Sequence, residues 1–347
     1  LDIAFQCSPD HPYVKKHPQW FKVRPDKSIQ YAENPPKKYE DIYPINFDTD
    51  DYKNLTEELK SVFIYWIKQG IRIFRVDNPH TKPFAFWDWV ISSIHEEYPD
   101  VLFLAEAFTR PHVMQRLAKG GFQQSYTYFT WRTSKWELEQ YMNELTLTQM
   151  REYFRPNFWP NTPDILPYHL QYGGRPAFMQ RLVLAATLSS NYGMYGPAYE
   201  LCMFEAVQGK EEYLNSEKYE LKNWQRDADW SLKDFITRVN TIRRENPALQ
   251  TTWNYKPCLT SNENLMCFQK VTEDKSNILL IVINLDAYNW QSGSVCVPVE
   301  ELGIGYHQHY TAHDLLTNEK YTWYRDWNYV ALNPHDCPAH IFKIDIG

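Results

Sequence analysis

The chain has 347 residues, 43% hydrophobic and 23% charged, with 36 basic against 43 acidic side chains and a net charge of −7. That length buries a large core and predicts one big domain with a smaller one beside it. The acidic balance offers no basic footprint for nucleic acid and no polybasic membrane patch, and no apolar run approaches the ~18–20 residues that cross a bilayer.

Aromatic residues make up 16% of the chain, including 13 Trp and 25 Tyr. Their flat apolar faces with a polar edge suit stacking on sugar rings, and they serve equally well as core residues. The six cysteines, Cys7, Cys202, Cys258, Cys267, Cys296 and Cys337, are scattered without a CxxC pair. They read as reduced thiols of a cytoplasmic protein rather than as a metal site or a disulfide framework. No calcium-loop signature occurs, so neither metal nor cofactor is expected. The N-terminus lacks Met and a leader-like segment and opens inside a strand-like run, so the chain reads as a piece of something longer.

In chain order, residues 1–5 read as a strand, followed by a Pro- and aromatic-rich excursion over 7–50. A helix is predicted over 52–69, with Leu55, Leu59, Val62, Phe63 and Trp66 on one face. Then come a strand at 71–77, a helix near 83–98, a strand at 101–106 and a short helix near 111–119. Weaker strand patterns lie at 126–129, 154–159 and 190–195, with helices near 134–148, 174–189 and 231–245. Repeated strand–helix units imply a parallel sheet covered by helices. From about residue 250 the pattern changes to short β-type runs at 265–270, 278–284, 294–297, 321–324 and 339–344, separated by Asn, Asp, Gly and Pro turns. The expected organisation is an α/β barrel portion over 1–248, with an irregular insert at 7–50, and an antiparallel β-sandwich over 249–347.

Side-chain phase sharpens the barrel reading. Along 71–77, Ile71, Ile73, Arg75 and Asp77 share one face. Along 101–106, Leu102, Leu104 and Glu106 are in phase with Asp77, as are Asp2, Ala4 and Gln6 in the first strand. Each strand thus ends in a polar group facing one interior, as in a barrel whose reactive groups sit at the C-terminal rim. A doubly wound open sheet remains an alternative, although no Gly-rich phosphate turn follows any strand.

Asp77 and Glu106 lie 29 residues apart, about the length of a strand–helix–strand unit. Acids at one level on neighbouring strands about 4.8 Å apart approach the ~5–5.5 Å spacing that a retaining glycosidase needs. Arg75, two residues before Asp77 on the same face, would pair with that carboxylate and keep it ionised for attack on an anomeric carbon. Glu106 must begin protonated, and its apolar flanks and the nearby Asp77 would both raise its pKa. The plainer readings are a rim Asp bonding backbone amides and a Glu capping the next helix. Asn161-Thr162-Pro163-Asp164 offers a third acid, and is also a good turn sequence. Asn34-Pro35-Pro36-Lys37-Lys38-Tyr39 is a proline-stiffened loop whose ammonium, amide and phenol suit phosphate oxygens, or a solvated basic loop.

Phe74–His80, Phe103–Phe108 and Asn161–Asp164 resemble three ordered motifs of the α-amylase superfamily, glycoside hydrolase family 13. Residues 2–11 resemble the third-strand motif of its maltosyltransferases, which transfer maltosyl units from α-maltose 1-phosphate to α-1,4-glucans. Residues 34–39 resemble their phosphate loop, and residues 209–219 their donor-site segment. The resemblance implies the second half of such a protein, with barrel strands 3 to 8, and essentially the whole chain takes part. It implies Asp77 as nucleophile, Glu106 as acid/base and Asp164 as transition-state stabiliser. It implies Asn34, Lys37, Tyr39 and Asn78 around a donor phosphate, and Gln6, Arg75, Lys218 and Tyr219 along a maltosyl site. Pro163-Asp164 replaces the His-Asp of most amylases, a departure shared with the maltosyltransferases. The partners so implied are maltose 1-phosphate and glucan, with a homodimer conditional on upstream domains. Left open are an α-glucan hydrolase or glucanotransferase, and an inactive glucan-binding fragment.

Overall fold

The computed structural model describes residues 1–35 and 37–346, without the side chains of Asn34 and Lys37. The chain divides into two compact units, Leu1–Tyr126 with Tyr153–Arg155, and Thr127–Glu152 with Pro156–Gly347. The domain boundary expected near residue 248 falls inside the second of these.

The first unit is built on a parallel sheet of β1 (Asp2–Ile3), β2 (Ile73–Asp77), β3 (Leu102–Glu106) and β4 (Gln124–Tyr126), in that spatial order. Between successive strands run α1 (Tyr52–Lys68), α2 (Phe84–His95) and α3 (Pro111–Lys119). Alternation in β2 and β3 buries Phe74, Val76, Phe103 and Ala105 against the helices, and turns Arg75, Asp77, Leu104 and Glu106 to the other face. The first strand is shorter than the run 1–5, although Phe5 still joins the core.

Leu55, Leu59, Phe63 and Ile67 form one buried row along α1, as side chains four apart must. Trp66, expected on that face, sits at its margin with 36% exposure, and Ile67 takes its place. Phe63 is fully buried, with its ring centroid 5.4 Å from Phe5, 5.2 Å from Phe74 and 5.4 Å from Phe103. Phe63→Ala should therefore cost about 3–5 kcal/mol, read as a lowered urea midpoint. A change below ~1 kcal/mol would show that this cluster does not hold the sheet to α1.

The excursion is ordered by local pairing. Gln6–Cys7 pairs with Tyr43–Pro44, and Ala32–Asn34 with Lys37–Tyr39, both antiparallel. Trp20 is buried and donates its indole N–H to Asp51 over 2.9 Å.

The second unit contains α4 (Lys135–Leu147), α5 (Gly174–Leu188) and α6 (Lys233–Glu245). A reciprocal capping box between Ser134 and Glu137 starts α4. Residues Pro176 to Leu188 of α5 are all buried, so this helix carries no polar stripe. Within it, Arg181 donates to the carbonyl of Arg132 over 2.7 Å and lies 3.9 Å from the Phe129 ring.

Eight strands follow. They are β5 (Tyr255–Cys258), β6 (Leu265–Val271), β7 (Ile278–Asn284), β8 (Gln291–Cys296), β9 (His309–Asp314), β10 (Lys320–Tyr324), β11 (Trp327–Leu332) and β12 (Ala339–Asp345). Six form an antiparallel sheet in the order β5-β6-β7-β12-β9-β10, and β8 pairs with β11. Cys267, Leu280 and Phe342 from the large sheet share a core with Val295 and Val330 from the small one.

The weaker strand expectations are corrected. Residues 126–129 split into the end of β4 and a 3-10 turn at Tyr128–Trp131, and 154–159 keeps only Pro156–Asn157. Residues 190–195 contribute one bridge, Tyr192 to Phe158. Pro156 and Pro160 have no N–H to donate to a ladder, and Gly193 is packed so closely under Trp159 that a Cβ there would lie 2.3 Å from the indole.

Candidate active site

Adjacent parallel strands bring the two acids level. In the β2–β3 pairing Asp77 stands opposite Glu106, and both side chains reach one cation. Arg75 Nη1 lies 3.3 Å from Asp77 Oδ1, and Nη2 lies 3.6 Å from Glu106 Oε2. The same guanidinium is held by Asp2 on β1, at 2.8 and 2.7 Å from its two oxygens. Asp2 shares the phase of Asp77, which was the sequence signal for it, but it was given no role there.

The turn after β2 completes the arrangement. Asn78 has φ 43° and ψ 52°, a left-handed conformation that Asn tolerates better than most residues. Its backbone N–H points to Glu106 Oε2 at 3.4 Å, and its side-chain amide donates to Asp77 Oδ2 at 3.3 Å. Thus Asp77 accepts from two donors and is 19% exposed at its side chain, while Glu106 is 10% exposed.

Burial sets the electrostatics. It raises the Glu106 carboxyl to about 7, opposed by Arg75 and reinforced by Asp77. Tyr126, whose ring lies 5.8 Å from the Arg75 guanidinium, is pushed up to about 12, again chiefly by burial. Lys82 is lowered by burial, with Asp77 and Glu106 acting against that, and its ammonium approaches the Asn78 carbonyl at 3.4 Å. Neither Tyr126 nor Lys82 was singled out from sequence. Tyr126 ends the short β4, and Lys82 follows a Pro-started turn with no periodic signal.

The raised carboxyl has a consequence for stability. Unfolded, Glu106 releases its proton near its ordinary value of 4.5, and folded near 7. The folded state therefore binds more protons between those values, and stability falls as pH rises through that window. Glu106→Gln should be more stable than the parent at pH 8 by on the order of 1–3 kcal/mol, with the gain vanishing near pH 4. Denaturant titration at both pH values checks this, and equal differences at the two would contradict a raised carboxyl.

In the second unit, Asn161 is fully buried and orders the next segment. Its amide donates to the Tyr213 hydroxyl at 2.7 Å, and its oxygen accepts the Tyr195 N–H at 2.9 Å. Thr162 accepts the Asp164 N–H at 3.1 Å, as the turn reading of 161–164 expects. The Asp164 carboxylate forms an ion pair with Lys218, and both line a cleft of about 200 Å³ with Tyr219 and Ser216. Glu217 accepts the Tyr195 hydroxyl and, at 2.9 Å, the Trp224 indole N–H, which ties down the 216–219 segment. Sequence reasoning did not single out Glu217.

Of the other expected residues, Gln6 is exposed on its short strand and Tyr39 is half-buried in the 32–39 hairpin. Asn34 and Lys37 are backbone partners in that hairpin. Their side chains, and Pro36 of the expected phosphate loop, lie outside the described residues. Among the described residues no group of three or more His, Cys, Asp or Glu is placed to hold a metal ion, and no helix is long and apolar enough to cross a membrane.

Residues 258–344 match the family described as GLGE, C-terminal. The whole chain is 55% identical to the α-1,4-glucan:maltose-1-phosphate maltosyltransferase of Chlorobaculum tepidum, covering 52% of that protein. The proteins of that name from Methylacidiphilum infernorum and Picrophilus torridus are 55% and 49% identical over 99% of the chain, which covers 52% and 54% of them. Over its whole length the chain is similar to proteins named maltosyltransferases. It spans about half their length. Solved α-amylases share the fold. That of Geobacillus thermoleovorans, complexed with acarbose, aligns with a TM-score of 0.73 at 14% identity over 99% of this chain and 76% of its own. The Anoxybacillus α-amylase aligns with a TM-score of 0.75 at 14% identity over 100% and 75%.

Proposed function

We propose that the protein transfers maltosyl units from α-maltose 1-phosphate to the non-reducing end of an α-1,4-glucan, with net retention. The observation that carries this reading is the pair of carboxylates on one guanidinium, at opposed register positions of adjacent strands, with one carboxyl raised by burial to about 7. In this mechanism Asp77 attacks the anomeric carbon and phosphate leaves with Glu106 as acid, giving a β-maltosyl-enzyme. Glu106 then takes the proton of the acceptor 4-hydroxyl as the sugar transfers. The reading puts Asn78, which bonds Asp77 and reaches Glu106, beside the departing phosphate. The reading assigns the rest of the phosphate site to Asn34, Lys37 and Tyr39, the maltosyl site to Gln6, Arg75, Lys218 and Tyr219, and stabilisation of the oxocarbenium-like charge to Asp164.

Identity of about half across the whole chain to proteins named for this transfer supports the donor and acceptor. The reading further places residues 1–248 as strands 3 to 8 of a (β/α)8 barrel and 249–347 as a β-sandwich, in a cytoplasmic enzyme of glycogen-like glucan synthesis that dimerises with upstream domains. The free thiols fit a reducing compartment. The test is phosphate release from maltose 1-phosphate with glycogen as acceptor. Starch acting as donor without any phosphate effect, with Lys37→Ala silent, would favour a hydrolase or glucanotransferase instead. Glucan binding without turnover would point to an inactive fragment.

A further inference from the structure

Strands β5 and β6 run antiparallel, and Cys258 stands directly opposite Cys267 in their register. Opposed antiparallel residues have Cα atoms about 4.5–5.5 Å apart, inside the ~4.4–6.8 Å range that a disulfide spans. The two side chains belong to the same buried cluster, 7% and 0% exposed. Both are free thiols. Cys258 is the last residue of β5, and β5 is an edge strand of its sheet. Cys258 is the less deeply buried of the two, so it is the sulfur that a reagent reaches first.

We propose that Cys258 and Cys267 are a reversible dithiol–disulfide pair, oxidised by an external disulfide. The Cys258 thiolate attacks one sulfur of the external disulfide and expels one external thiolate, which takes up the proton Cys258 has lost. Cys267, deprotonated in turn, attacks the Cys258 sulfur of the mixed disulfide and expels the second external thiolate, which takes up the proton from Cys267. One external disulfide and two protein thiols thus become two external thiols and one intramolecular bond.

The bond would close the loop between β5 and β6, and that loop has a docking role. Thr260 within it accepts from the Lys135 ammonium at 2.8 Å, and Glu263 lies 3.8 Å from the same nitrogen. Lys135 is the first residue of α4. Oxidation would therefore stiffen the seat of α4 on the antiparallel sheet. The same burial that raises the Cys267 thiol well above its ordinary value makes it a poor spontaneous nucleophile, so the pair answers to a sustained oxidising poise rather than to a brief one.

The experiment is equilibration of the full chain with oxidised and reduced glutathione mixtures, thiol counting after unfolding, and non-reducing peptide mapping with a protease that cuts after Glu263. Oxidation should take the count from the six cysteines of the chain down by two, with one linked peptide pair carrying Cys258 and Cys267. Cys258→Ser and Cys267→Ser should each abolish that link, and Cys296→Ser should leave it intact. The oxidised parent should also show a higher thermal midpoint that dithiothreitol reverses. An unchanged thiol count at the most oxidising poise, or a bond joining any other pair, would overturn the proposal. The parent protein carries the decisive readout, so it holds even where a serine variant folds poorly.

Discussion

Asp77→Asn should abolish phosphate release from maltose 1-phosphate, with a fall in kcat on the order of 10⁴- to 10⁶-fold, the range seen when a covalent nucleophile is removed. An amide oxygen of the same shape carries no charge to attack the anomeric carbon, so the loss is chemical rather than steric. The fold should survive, because Asp77 is held by Arg75 and Asn78 at the end of a strand whose buried residues are Phe74 and Val76. Unchanged donor affinity with lost turnover would separate this from misfolding. A variant retaining a tenth or more of the parent rate would remove Asp77 from the role of nucleophile.

Glu106→Gln should lower turnover by about 10²–10⁴-fold, the usual contribution of a positioned general acid–base group. It should also flatten the pH profile. On the proposed mechanism, kcat/KM of the parent requires Glu106 protonated for donor cleavage, so the rate should fall as pH rises past about 7, where the buried carboxyl ionises. The glutamine variant has no such group, and its residual rate should not show that limb. A variant that kept the alkaline limb would assign it to another group, for example to Lys82, whose ammonium burial also lowers.

The parts of this site that were legible in the sequence are those fixed by period. Alternation in 71–77 and 101–106 put Arg75, Asp77 and Glu106 on one face, and pairing of adjacent parallel strands does the rest. Even Asp2 was in phase, and only its contact with Arg75 needed coordinates. Helices with strong apolar rows were also legible, since α1, α3 and α4 lie within a residue of expectation. What was not legible depends on contacts without a period. Residues 190–195 read as a strand but yield a single bridge at Tyr192, because Gly193 is fitted under Trp159. Three antiparallel strands, β5, β9 and β11, were missed because Lys256, Pro257, His309, His313, Asn328 and similar residues dilute the apolar alternation. Glu217 was missed because its importance lies in two donors, Tyr195 and Trp224, that arrive from other segments.

The central claim is that the Asp77 carboxylate becomes glycosylated. Incubation with 2-deoxy-2-fluoro-α-maltosyl fluoride, which slows both steps but leaves with fluoride, should trap that species. Intact-mass measurement should show one added fluoromaltosyl group, and peptide mapping should place it on the segment ending in Asp77. A label on Glu106 or on Asp164, or fluoride release with no covalent adduct at any time, would contradict the account.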